Sequence, residues 1–356
     1  MGNIPFGTEP FEQSFLIDIF INLRSWNMVN MSAPILKIQN LSKSFGTNDV
    51  LKNISLDINQ GEIIGLIGAS GAGKTTFLNT MIGFLKPDSG DVVFRLNHLL
   101  SYKDNYLYKS VFKNQRLIKQ IYGFASQTPS FYEELSTKEN LEYFGLLHNL
   151  NKETIKSNVA TLLNLMNLEQ AKGVKAKHLS GGMERRLDIA CSLIHDPDIL
   201  ILDEPTADLD PLLRNHIWDL VRKINKKGTT IILSSHHLSE LEHLCDRIVI
   251  LKDSKILASG KPEELKKQFS IEKEIILQTA SRNYEQLLRL LKRSRTILST
   301  RVEKDTVRIL TKNPEKSLTT ILASIKELRD ELTFINVTGA SLDDMFISIW
   351  KDDKKR

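Results

Sequence analysis

A chain of 356 residues, 41% hydrophobic and 26% charged, is long enough for a sizeable buried core and is neither disordered nor fibrous in composition. Its net charge of +5, from 48 basic and 43 acidic residues, is too slight to argue for nucleic acid; a phosphate ligand or an anionic membrane face suits it equally. The two cysteines, Cys191 and Cys245, have apolar neighbours and no metal-ligand spacing, so both are expected as buried thiols in a reducing compartment.

No apolar run reaches the roughly 20 residues that a membrane-spanning helix needs. The longest, residues 15–23, is interrupted by Asp18 and Asn22, and it lacks the basic start and cleavage site of a signal peptide. The expectation is a cytosolic chain. In the leader, residues 1–31, Phe11, Phe15, Leu16, Ile19, Phe20, Leu23 and Trp26 fall on one helical face. That segment is either an amphipathic helix lying on a membrane or partner, or an extension upstream of Met31 with no part in the fold.

Residues 32–268 read as an α/β domain. Short strands over 35–39, 55–58 and 62–67 lead into a glycine loop and a helix, and further apolar strands at 199–202, 230–234 and 247–251 alternate with helices. Residues 95–121 are a basic insertion, with Arg95, Lys103, Lys109, Lys113, Arg116 and Lys119 against the acid Asp104. An exposed loop excursion is the plainer expectation, contact with anionic lipid headgroups the sharper one. Residues 270–350 alternate as β-α-β-β-α-β, the order of a ferredoxin-like α+β domain, with Lys304-Asp305 as the turn of its hairpin. A closing helix follows, with Ser341 and Asp344 as its capping pair.

Three short segments carry the chemistry. Gly68, Ala69, Ser70, Gly71, Ala72, Gly73, Lys74, Thr75 and Thr76 follow an apolar strand and precede a helix. That is the phosphate loop in its required context: curled backbone N–H groups and a helix N-terminus face the phosphates, Lys74 reaches the β- and γ-phosphates, and the Thr75 hydroxyl suits Mg²⁺. The strand at 199–202 ends in Asp203 and Glu204. Asp203 is placed to hold Mg²⁺, while Glu204, pointing the other way along the strand, contacts the attacking water. The strand at 230–234 runs into Ser235, His236 and His237, and either histidine lies where a γ-phosphate can be met. Finally Leu179, Ser180, Gly181, Gly182, Met183 and Glu184 open a helix, which gives either a capped helix start or a second anion site.

Taken together and in this order, these segments resemble the ATP-binding cassette (ABC) ATPases, over roughly residues 35–265. Met183 stands where glutamine is commoner. The resemblance implies a P-loop cassette with an antiparallel β subdomain and a helical signature subdomain, using ATP and Mg²⁺. It carries over Phe45 as the aromatic that stacks on adenine, Gln127 as the glutamine near Mg²⁺ and the membrane-subunit contact, Asp210 as a nucleotide-site aspartate, and His236 rather than His237 as the γ-phosphate histidine. It implies a membrane permease as partner, with the chain peripheral on the inner face of the membrane. It also implies a second copy, arranged head to tail so that Ser180 and Gly182 of one chain close over ATP held by Lys74 of the other. Chains with a small C-terminal domain followed by a sequence like Ser341-Leu342-Asp343-Asp344-Met345-Phe346 resemble the exporter branch that handles drugs, lipids or polysaccharides. Two other classes fit less well. Chromosome-maintenance ATPases place a long coiled coil between the equivalents of Gln127 and Ser180, and ribosome-acting members carry two cassettes; this chain has neither. A non-hydrolysing regulator would not keep both Glu204 and His236.

Overall fold

The computed structural model describes residues 33–95, 108–236, 238–269, 273–339 and 342–351. The leader, His237, Ser341 and the middle of the basic insertion, and with them the readings made of those residues, lie outside the described residues. The chain divides into two units. The first gathers Gly68–Ser234, Leu251–Ile256 and the residues up to Ile63; the second gathers Ile64–Ile67, Ser235–Ile250 and the residues from Leu257 onward.

In the first unit, β1 (Leu36–Phe45) and β2 (Asn48–Ile58) form a hairpin through Gly46, whose φ of 60° a side chain would resist. With β4 (Ser89–Arg95) and β5 (Tyr108–Ser110) they make an antiparallel sheet of order β2-β1-β4-β5. Leu36 sits opposite Ile58 on one side and Phe94 on the other, and all three are fully buried. Burying such side chains contributes about 1.5–3 kcal/mol each. The first unit also holds a parallel run, β6 (Tyr122–Ala125), β7 (Ile199–Leu202) and β8 (Thr230–Ser234), in register Tyr122 to Ile199 to Thr230. All four residues of β7 are fully buried, as a strand covered on both faces requires. Ile231 N–H donates to the Glu62 carbonyl at 2.9 Å, which places the start of β8 beside the start of β3 (Ile63–Ile67).

The helices of this unit are α1 (Lys74–Met81), α2 (Gln115–Ile121), α3 (Thr137–Leu147), α4 (Lys152–Leu165), α5 (Gly181–Leu193) and α6 (Pro211–Lys226). Ser136 and Glu139 form a capping box at α3, and Asn151 caps α4. The basic insertion is more ordered at its ends than a loop excursion. Arg95 is buried and donates to Ala33 O and Gln60 Oε1, β5 pairs with β4, and α2 buries Ile118 and Ile121. Its flanks are therefore parts of the fold, held by side-chain bonds to distant backbone that no local periodicity reveals.

One buried pair in this unit gives a pH prediction. The rings of His148 and His195 stack at 3.7 Å and 4°. His195 Nε2 lies 3.0 Å from the Tyr122 carbonyl, which only accepts, so Nε2 carries the proton. Its Nδ1 is buried with no hydrogen-bond partner among the described residues. Burial first, and the neighbouring His148 second, push the His195 pKa down to about 4. The unfolded chain, titrating near 6.5, then binds the proton that the folded chain refuses, so stability is complete above about pH 6.5 and falls as pH drops toward 4. A depression of this size corresponds to roughly 3 kcal/mol at most. Thermal unfolding followed from pH 7.5 to 4.5 should show a falling melting temperature whose slope is shallower in His195→Phe; equal slopes would remove the account.

In the second unit, Ile64 to Ile67 of β3 pair in parallel with β9 (Arg247–Lys252), and β10 (Lys255–Gly260) follows. The C-terminal sheet has order β12-β13-β11-β14, from β11 (Lys273–Thr279), β12 (Ile297–Glu303), β13 (Thr306–Thr311) and β14 (Leu332–Gly339). With α9 (Glu285–Leu291) and α10 (Pro314–Glu327) this is the β-α-β-β-α-β order expected from the sequence, and Lys304, with φ of 51°, makes the turn. Its core is Ile275, Leu277, Tyr284, Leu287, Leu291, Val307, Ile309, Ile321 and Ile325. The closing helix α11 (Leu342–Lys351) is not part of that core. It packs instead on α7 (Leu238–Leu244) and α8 (Pro262–Phe269), burying Leu342, Met345 and Ile349. Leu342 N–H donates to Glu242 Oε2 at 3.4 Å, and the other oxygen of Glu242 accepts from Lys266 at 2.5 Å. Cys191 and Cys245 are both buried, and burial pushes both thiols up.

Candidate nucleotide site

The loop from Gly68 to Gly73 joins β3 to α1. Gly71 and Gly73 have φ of 80° and 95°, and a Cβ on Gly73 would come within 2.9 Å of the Val50 carbonyl. Both need glycine, and this curl is what turns successive N–H groups inward. Lys74 opens α1, 8% exposed, with its ammonium donating to Gly68 O at 2.9 Å and to Ala69 O at 3.4 Å. Burial lowers its pKa, while the nearby carboxylates of Glu204 and Asp203 raise it. The lysine and the two carboxylates are thus brought together across the first unit. Thr75 Oγ1 donates to Asp203 Oδ2 at 3.2 Å. The two oxygens assigned to the metal therefore converge, and both are the hard donors that suit Mg²⁺.

Asp203 and Glu204 lie past the end of β7, not on it. The Asp203 N–H still bonds to Ala125 O, extending the parallel ladder by one step. Glu204 then takes φ of 49°, so strand alternation does not aim its side chain; a left-handed kink does. Ser234, at the end of β8 and fully buried, locks this corner. Its hydroxyl donates to Asp203 Oδ1 at 2.5 Å and accepts from the Glu204 N–H at 3.0 Å. Sequence reasoning missed Ser234; its position just before Ser235 and His236 was the available signal. His236 itself is exposed, immediately beyond β8.

Phe45 ends β1 with 52% of its surface exposed and Lys43 Nζ at 5.5 Å from its ring centre, so it is not a core phenylalanine. Gln127 is exposed just past β6. Ser180 occupies the N-cap of α5 in extended conformation, but its side chain makes no capping bond. Its hydroxyl is not spent on an ordinary helix start. A Cβ on Gly181 would meet nothing within 4 Å, whereas one on Gly182 would press on Leu213. Among the described residues, nothing requires Gly181 to lack a side chain. Asp210 is the N-cap of α6, its Oδ1 accepting from Leu212 and Leu213 N–H. The carry-over had not anticipated this capping bond.

Residues 51–207 match the family model described as ABC transporter. The Nod factor export ATP-binding protein I of Ralstonia nicotianae is 35% identical over 234 residues, 66% of this chain and 69% of that protein. The linearmycin resistance ATP-binding protein LnrL of Bacillus subtilis is 34% identical over 231 residues, 65% of this chain and 70% of that one. Among solved structures, the dimeric post-hydrolysis state of the ATP-binding cassette MJ0796 bound to ADP and Pi is 28% identical, covers 64% of this chain and 98% of that chain, and superposes with a TM-score of 0.54. With the phosphate loop, the acidic strand end and the signature helix all in their places, the chain belongs to the ATP-binding, ATP-hydrolysing subunits of the ABC transporter family.

Proposed function

We propose that the chain drives an exporter, hydrolysing ATP at Lys74, Thr75, Asp203 and Glu204 while a separate membrane subunit carries the cargo. The observation that supports it most is the bond from Thr75 to Asp203, which ties the glycine loop carrying Lys74 to the acidic strand end. Thr75 and Asp203, with Gln127, would hold Mg²⁺, which when bound neutralises charge on the transferring phosphate. Phe45 would stack on the base, the N–H groups of the Gly68–Thr76 loop would hold the phosphates, and His236 would meet the γ-phosphate. Glu204 orients and deprotonates the attacking water. Ser180, Gly181 and Gly182 would close over the nucleotide of a second copy, with Asp210 beside them. On this reading residues 32–268 are the engine, residues 270–350 an accessory domain, and the chain sits on the cytoplasmic face of the membrane. The relatives named for Nod factor export and linearmycin resistance support the outward direction.

For the permease, the candidate contact is Phe84, 77% exposed, its ring edge-on to Phe124 of β6 at 6.1 Å. Phe124 lies three residues before Gln127, so a partner pressing on Phe84 bears on the strand that positions the glutamine. Phe84→Asp should weaken co-purification with the membrane subunit about tenfold or more and leave intrinsic ATP hydrolysis within twofold. Unchanged co-purification would discard Phe84 as the contact. Failure of the assembled pair to accumulate any cargo in inverted vesicles would discard export.

A further inference from the structure

The signature helix carries a buried ion pair that nucleotide binding does not use. Arg185 and Asp188, one turn apart on α5, are 8% and 0% exposed at their side chains and meet at 3.1 Å. A buried ion pair of this kind adds little net stability, because desolvation offsets the attraction. Its acceptors say more. Arg185 Nε donates to Pro205 O at 2.9 Å, Nη2 to Asp203 O at 3.1 Å and Nη1 to Ser126 O at 2.6 Å. Asp188 Oδ1 in turn accepts from the Ser130 N–H at 2.9 Å and its hydroxyl at 3.1 Å. Two of the three carbonyls flank Glu204, the residue whose φ of 49° sets its aim. The third immediately precedes Gln127.

We propose that Arg185 is a positioning residue for hydrolysis: its guanidinium fixes the backbone on both sides of Glu204 and ahead of Gln127, tying both to the signature helix. The planar fork is what allows one side chain to hold three carbonyls that point from different directions. An ammonium at the same place is a single point and reaches fewer of them. The proposal rests on the ATPase reading, and it predicts an effect on bond cleavage rather than on nucleotide affinity. A displacement of about 1 Å at a catalytic group is worth up to roughly 100-fold in rate.

The test uses full-length Arg185→Met, Arg185→Lys, Glu204→Gln and the Arg185→Met/Glu204→Gln double variant. A fluorescent ATP analogue reports affinity, phosphate release reports kcat and KM, and thermal melting reports folding. Arg185→Met should lower kcat about 10- to 100-fold with affinity within about threefold of the parent. Arg185→Lys should recover only part of the loss. In the Glu204→Gln background, adding Arg185→Met should cost several-fold less than it does in the parent, because one of the two groups it positions is already gone. A kcat within twofold of the parent for Arg185→Met overturns the proposal, as does an equal loss in both backgrounds, which would mark a general fold defect. If Arg185→Met melts below the assay temperature, Arg185→Lys decides: full kcat at parental melting temperature overturns the proposal, and a loss of threefold or more supports it. Parent and Glu204→Gln hydrolysing alike would instead overturn the ATPase assignment of Glu204 beneath it.

Discussion

Glu204→Gln should bind ATP as tightly as the parent and lose about 10²- to 10⁴-fold in turnover. The substitution keeps the volume and the backbone bond from Glu204 N–H to Ser234, so the kink at the strand end has no cause to relax. It leaves Lys74 with its loop carbonyls and Thr75 with Asp203. Only the group able to take a proton from water is removed. Steady-state phosphate release and nucleotide binding on the same preparation measure the two sides of this claim. Near-parental hydrolysis would mean that another group activates the water. A parallel loss of affinity would mean that Glu204 holds the site together and is not its base.

The second large effect concerns two chains at once. Lys74→Ala removes the cation from the loop, and Ser180→Arg places a bulky charge where the hydroxyl makes no capping bond. Each variant alone should be inactive, since in a head-to-tail pair each ATP needs the loop of one chain and the signature of the other. Mixed and assembled with the membrane subunit, the two form some pairs in which both lesions fall on one site and the other site is intact. Activity should then return in part, to about a quarter of the parental level if pairing is random and one site suffices. Ser180→Arg active by itself would refute the shared site. A dead mixture would show that both sites must fire together, and a disulfide engineered across the pair would then report the pairing directly.

Much of this was legible in the sequence, because the relevant signals are local. The glycine loop shows itself by residue type between an apolar strand and a helix, and β7 by four apolar residues followed by two acids. The C-terminal fold declares itself by alternating periods, and even its turn at Lys304 falls where expected. What stayed hidden depends on bonds between distant backbone and side chains. Glu204 was read as the next step of a strand, whereas its direction comes from a left-handed φ supported by Ser234 and Arg185. The ends of the basic insertion gave a charge count but no period; the bonds of Arg95, the pairing of β5 with β4 and the buried face of α2 show them to be structure. Arg185 and Asp188 did leave a trace: two charges three residues apart, on the face of α5 that also buries Ile189 and Ser192. Charge at that spacing usually reads as a solvated pair, which is why it passed unnoticed.

The docking of α11 on α7 and α8 makes the C-terminal sheet a closed excursion. The chain leaves at the end of α8, builds four strands and two helices, and comes back to the same two helices through Leu342, Met345 and Ile349. Glu242 is the common peg, gripping Lys266 before the excursion and the Leu342 N–H after it. Sequence that looks like a tail is in mechanical terms a handle fixed at both ends. A protein fused after residue 351 would pull first on α11 and on the helix that follows His236, not on the ferredoxin-like sheet. A cut in the turn at Lys304 would leave both halves of the handle still attached.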